Sequence, residues 1–168
     1  MIPSRRQFRI AFTLIEALLT AVVLAMAVTA ILMPFNAGAQ NEASDARRTL
    51  AVSLAQEMME EILAKPFEDP QGHAFSPGPD GDERSRASFD NVDDYHNYNE
   101  PAGQIRSFDG AVIDEPAAVN LSRHVTATYV YVNGQDVSAD PSFIRVVVEV
   151  RHRGVPIVTL TRLVYRMT

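Results

Sequence analysis

The chain has 168 residues, is 46 % hydrophobic, and carries a formal net charge of −6 with no cysteine. That length suits one domain plus an appendage, and the lack of cysteine excludes disulfides, thiolate chemistry and cysteine-ligated zinc. The acidic balance argues against nucleic acid as a partner and against electrostatic docking on anionic lipid.

The apolar residues are unevenly spread. Residues 1–11 hold three bases, Arg5, Arg6 and Arg9, and no acid, which leaves 12 bases against 21 acids, a charge of −9, in the remainder. No charged residue occurs in the 25 positions from Ala17 to Asn41, and Ala17 to Phe35 are almost wholly apolar. A bilayer core needs about 20 such residues in a helix, whereas a secretory signal's apolar region is about 7–15. The run is therefore of membrane-spanning length. Its basic flank predicts a cytoplasmic N-terminus, with the rest of the chain on the far side. Glu16 stands at the head of this run, where an acidic side chain is unfavourable, by roughly 2.5–3.5 kcal/mol at a helix centre and less toward the ends.

Residues 12 to about 64 read as one long helix. Leu50, Leu54, Met58 and Ile62 recur every fourth position, flanked by Ala51, Ala55, Met59 and Leu63. Gln56, Glu57, Glu60 and Glu61 fall on the opposite face, giving an amphipathic continuation over residues 37–65. Lys65-Pro66 ends it, because a residue before proline avoids the helical region. The whole rod would be on the order of 80 Å long. Pro34 predicts a kink and Gly38 a local loosening.

Residues 66–121 change character. They are rich in Pro, Gly, Asp and Asn, and from Glu57 to Glu115 there are 15 acids against four bases. The pattern predicts a long acidic loop, with short strands near Ile105–Phe108 and Ala111–Ile113. Asp80, Asp82 and Glu83, with Asp90, Asp93 and Asp94, offer oxygen ligands that suit Ca²⁺. Neither stretch has EF-hand spacing, so solvated loop acids with no metal are the expectation. His96 stands beside Asp93 and Asp94, but His73, His124 and His152 show no ligand spacing to it. Tyr95 and Tyr98 are expected to pin the loop onto a sheet. Glu57, Glu60 and Glu61 resemble paired catalytic carboxylates only in spacing, and their face is expected to be wet. With no G-x-S-x-G elbow, phosphate-cradling glycine loop or metal pattern, no enzymatic activity is expected.

Residues 122–168 read as an antiparallel meander. Ser122 to Val132 alternates, with Val125, Ala127, Tyr129 and Tyr131 on one side, and Asn133-Gly134 is a turn pair. Phe143–His152 and Val155–Arg166 flank a second turn at Arg153-Gly154. The buried face of these three strands needs a cover, and the Leu50–Leu63 stripe supplies one. The fold class is therefore α+β: a long N-terminal helix, its first half apolar, packed by its second half on a C-terminal antiparallel sheet.

That order, with the string Phe12-Thr13-Leu14-Ile15-Glu16 behind a basic leader, resembles the type IV pilin-like proteins: pilins, minor pilins and the pseudopilins of type II secretion. The match covers residues 5 to 36 by motif and reaches residue 64 by pattern; beyond that it is architectural. The stretch Leu54–Phe67 is also similar to the helix end of the I-type pseudopilin and V-type pilin groups. The resemblance implies that residues 1–11 are a leader removed by the prepilin peptidase, which would cut between Ala11 and Phe12 and then N-methylate Phe12. Residues 12–36 would be the transmembrane and assembly helix. Glu16 would be the fifth residue of the mature chain, an acid linked in that family to subunit assembly and N-methylation. The implied partners are other subunits, the peptidase and the inner membrane, with the acidic domain periplasmic. Some pseudopilins carry Ca²⁺ in the corresponding loop region. Two departures stand out: Ala11 replaces the usual glycine before the cut, and the helix proline falls at Pro34 rather than at position 33.

The physical sense of Glu16 follows. Cleavage creates an α-amino cation at Phe12, four positions away, and two charges each costly in lipid become tolerable as a pair between packed helices. Two other readings compete. One is a membrane-tethered binding module that never polymerises, which would leave Glu16 dispensable. The other is a soluble domain released at Ala25-Met26-Ala27 or Ala37-Gly38-Ala39.

Overall fold

The computed structural model describes residues 13–72, 76–136 and 140–166. Arg5, Arg6, Arg9, the Ala11–Phe12 junction and His73 lie outside the described residues. The chain divides into two compact units, Met1–Ala43 and Ser44–Thr168. A single helix, α1 (Leu14–Leu63, 50 residues), runs through both.

From Ala17 to Phe35 α1 is apolar all round apart from two threonines. Their hydroxyls are satisfied within the helix: Thr20 Oγ1 donates to the Glu16 carbonyl at 2.7 Å and Thr29 Oγ1 to the Met26 carbonyl at 2.9 Å. This back-bonding lets a hydroxyl sit in an apolar run at little cost. Pro34 lies inside the helix, where it removes one backbone donor.

In the second unit α1 is amphipathic, as its spacing predicts. Ala51, Leu54, Ala55, Met58, Met59 and Ile62 are buried. The helix stops at Leu63, just ahead of Lys65-Pro66, with the Ala64 and Lys65 N–H groups closing the last turn on Glu60 and Ile62.

The buried stripe packs on an antiparallel sheet of four strands, one more than expected: β1 (Asn99–Glu100), β2 (Leu121–Val130), β3 (Phe143–His152) and β4 (Val155–Tyr165), in that spatial order. β2 starts one residue earlier and ends two residues sooner than its alternation suggests. The added strand, β1, pairs Asn99 with His124 and Glu100 with Arg123 at the β2 edge. Val125 opposite Val148 and Ala127 opposite Val146 form the centre of the sheet's inner face. Arg153 (φ 51°) and Gly154 (φ 81°) make the two-residue β3–β4 turn, both in the left-handed region that a type I′ hairpin requires.

Residues 66–121 are more ordered than their composition suggests. Short 3₁₀ turns form at Arg86–Ser88, Asp93–Tyr95 and Pro116–Ala118. The two short strands expected around Ile105 and Val112 reduce to a single bridge, Arg106 with Val112, joined by the Ile113 N–H to the Ile105 carbonyl at 2.9 Å. Phe89, Tyr95 and Tyr98 form an edge-to-face cluster with centroids 5.0–6.3 Å apart. As expected, the tyrosines fasten the loop: the Tyr98 carbonyl accepts from Val125 of β2, and the Tyr95 hydroxyl reaches Glu61 of α1 at 2.8 Å.

The layers are also joined by buried charge. Arg123 points inward among the valines and is fully buried. Its Nε donates to Glu100 at 2.7 Å, Nη1 to the Leu54 carbonyl at 2.9 Å and Nη2 to the Arg106 carbonyl at 2.7 Å. Glu100 also accepts from the Tyr98 hydroxyl and from Arg86, which pairs in turn with Glu61. Two cations and two anions thus alternate across sheet, loop and helix. Glu61 therefore departs from the wet face expected for Glu57, Glu60 and Glu61. Burial pushes its carboxyl up, but hydrogen bonds from Arg86 and Tyr95 outweigh this and hold it below its usual range.

Breaking such a network from one side strands the other charge. Arg123→Ala is expected to cost about 3–5 kcal/mol, by leaving Glu100 buried without its main partner. Adding Glu100→Gln to Arg123→Met should recover part of that loss. Urea unfolding of the detergent-solubilised chain, followed by circular dichroism, checks both.

Candidate functional site

Two places concentrate chemistry that the core does not use. The first is the apolar half of α1. Its most apolar 18-residue window has a mean hydropathy of 2.4, and none of that window is buried. Leu14 (81 % exposed), Ile15 (73 %), Met33 (76 %) and Phe35 (72 %) show the extent of the uncovered surface. This one helix is long and apolar enough to cross a membrane.

Glu16 sits in the first turn of that helix, exposed, with its N–H bonded to the Thr13 carbonyl at 3.1 Å and to Thr13 Oγ1 at 3.3 Å. The unpaired N–H groups and the helix dipole favour an anion there. No other acid or base occurs between Glu16 and Glu42. The side chain is thus a lone charge on an apolar rod, as the sequence places it; its candidate partner, the Phe12 amine, lies outside the described residues.

The second place is the acidic loop, where the structure corrects an expectation. Glu83, Asp93 and Asp94 are buried, not solvated, although Asp82 is exposed. The loop is wound around them. Asp94 Oδ2 accepts from the Asp90 and Asn91 N–H groups at 2.8 and 2.9 Å. Asn91 Oδ1 accepts from Asp93 and Asp94 at 3.0 and 3.1 Å. Glu83 accepts from the N–H groups of Asp80 and Asp90 at 3.1 and 3.2 Å. The winding draws one carboxylate oxygen each of Glu83, Asp90 and Asp94 within 4.8 Å of one another.

Asp93 and Asp94 also line a cavity of about 250 Å³, together with Glu68, Asp69, Asp80 and Asp140. Arg166 lies at its edge, paired with Glu68 and with Asp140. Asp93 is 4 % exposed, and its Oδ1 is buried with no hydrogen-bond partner among the described residues. Burial pushes the Asp93 carboxyl up to about 6, with the neighbouring Asp80 adding to the effect against the opposing Tyr129 hydrogen bond. Burial likewise raises Glu83 and Asp94. The converging oxygens of Glu83, Asp90 and Asp94 are the all-oxygen donor chemistry that suits a hard divalent cation. His96 is not part of the converging group.

Glu61 and Arg86 wall a further cavity of about 760 Å³, but they already satisfy each other. The sequence contained the acids of the loop but not their burial. The signal overlooked was Asn91, whose position lets one side chain cap two following N–H groups.

No protein-family model matches the chain, and no curated protein or solved structure matches it.

The Asp93 carboxyl sets a pH dependence. Its folded value of about 6 lies above the ordinary 3.8, so the folded chain holds the proton more tightly and loses stability as pH rises through that window. In chelator-treated protein, Asp93→Asn should raise stability at pH 7 by about 2–3 kcal/mol. It should also flatten the pH 4–6 slope in urea unfolding.

Proposed function

We propose that this chain is a structural subunit of a type IV pilus-like or type II secretion filament, a minor pilin or pseudopilin. The observation that carries this is the wholly uncovered apolar helix headed by the Phe12–Glu16 string with its single acid. On this reading the protein waits in the inner membrane as a single-pass chain, with its N-terminus cytoplasmic and its folded domain periplasmic. The prepilin peptidase cuts between Ala11 and Phe12 and methylates Phe12. Packing against neighbouring helices then covers the surface from Leu14 to Phe35. Glu16 meets an α-amino cation, its own or a neighbour's, and the mismatch of an unpaired charge in an apolar bundle selects the register. A fold held by a buried core and ion network, with no nucleophile or cofactor motif in its sequence, suits a building block.

The same reading gives the acidic loop a structural Ca²⁺. Glu83, Asp90 and Asp94 would hold it. The ion would offset the repulsion that otherwise loosens a loop packed on the sheet.

Two experiments follow. In cells that carry the matching peptidase and filament machinery, Glu16→Ala should be cleaved yet fail to enter sheared filaments, with wild-type protein recovered there. Assembly of Glu16→Ala at the wild-type level would favour the tethered binding module instead. For the loop, millimolar CaCl₂ should raise the urea midpoint of chelator-treated protein at pH 7. Asp94→Asn should abolish that rise.

A further inference from the structure

Among the described residues, a group of bases gathers at one end of the folded unit. A cavity of about 370 Å³ in the second unit is lined by Ser44, Arg47, Arg48, His152, Pro156 and Ile157. None of these is an acid. It lies where α1 passes into that unit, against the end of β3 and the start of β4. Arg153, in the β3–β4 turn, stands close enough to act on the same histidine: burial, then Arg47, then Arg153 hold His152 below its ordinary range.

Cations gathered in this way repel one another, and folded proteins normally interleave acids among them. Here no hydrogen bond or ion pair joins Arg47 or Arg48 to a carboxylate among the described residues. The neighbouring acid on the same helix, Asp45, is exposed and makes no ion pair with either arginine. Arg47 Nε is buried with no hydrogen-bond partner among the described residues, in a protein where the other deeply placed guanidinium groups, Arg86 and Arg123, are bonded on several sides. A buried guanidinium N–H left unpaired is a vacancy for an acceptor, and a planar donor fork beside a second guanidinium, an imidazole and a hydroxyl suits an oxyanion.

We propose that Ser44, Arg47, Arg48 and His152 form a binding site for a phosphate-class oxyanion. Arg47 supplies the inward donor and Arg48 a second charge from the rim. His152 and the Ser44 hydroxyl complete the donor set. The anion would come either from a phospholipid headgroup or from a soluble phosphate.

The test is a titration of the full chain in maltoside micelles with inorganic phosphate, read on the His152 ring proton resonances. A saturable shift is expected, weakened at least about tenfold by Arg47→Gln, the scale of one lost charge-assisted hydrogen bond. Arg145→Gln, which removes one charge from the open face of the sheet, should leave it unchanged. Arg48→Gln, at an exposed position, gives the same reading should Arg47→Gln fail to fold. A second arm places the chain in phosphatidylglycerol nanodiscs. If the His152 resonances already hold the shifted position and added phosphate moves them no further, the headgroup is the source. If they shift only on adding phosphate, the source is soluble. No saturation by about 20 mM phosphate together with no shift in nanodiscs overturns the site, as does equal weakening by Arg145→Gln.

Discussion

The apolar surface of α1 from Leu14 to Phe35 has no cover among the described residues, and this is the constraint on which any account of the chain depends. A helix that is hydrophobic all round must be surrounded, by lipid or by other helices. The same helix changes character from Ser44 onward, where a stripe of Leu54, Met58 and Ile62 is buried on one side only. One continuous element thus carries two burial patterns, one completed by the chain's own sheet and one left to the surroundings.

The folded unit ties its layers together with charge. Arg123, Glu100, Arg86 and Glu61 alternate in sign from β2 to α1 and meet the loop between them. A network of this kind adds little net stability over apolar packing, but each member is costly to strand. It therefore fixes where the loop lies more than how strongly the domain holds together. The acidic loop follows a different logic: its buried carboxylates repel one another, and the backbone N–H groups wound around Glu83 and Asp94 offset part of that repulsion.

The fold was legible where periodicity carries it. The alternation of Ile144, Val146, Val148 and Val150, with Arg153-Gly154 turning the chain back, announces the hairpin and its inward face, whereas β4 is irregular and a register shift falls between Val150 and Arg151. The fourfold spacing from Leu50 to Ile62 finds its cover. β1 was not legible, because two residues have no period, and Asn and Glu are poor strand formers. Arg123 shares the parity of Val125 and Ala127, so its inward phase was written in the alternation. Its tolerance there depends on Glu100 and two backbone carbonyls brought from distant segments, which no local pattern announces. Likewise, net charge described the chain as acidic while hiding a basic end built from α1 and the β3–β4 turn. Glu16 was legible from its isolation, and the structure adds only that it is exposed and in the first turn.

Maturation of the apolar helix for packing with other subunits, as proposed, is read from the mass of the native chain. Protein extracted from membranes of cells that carry the matching peptidase should begin at Phe12, with one methyl group on the α-amine. A chain that keeps the residues ahead of Phe12, or that begins within or beyond the apolar run near residue 28 or 40, would contradict it.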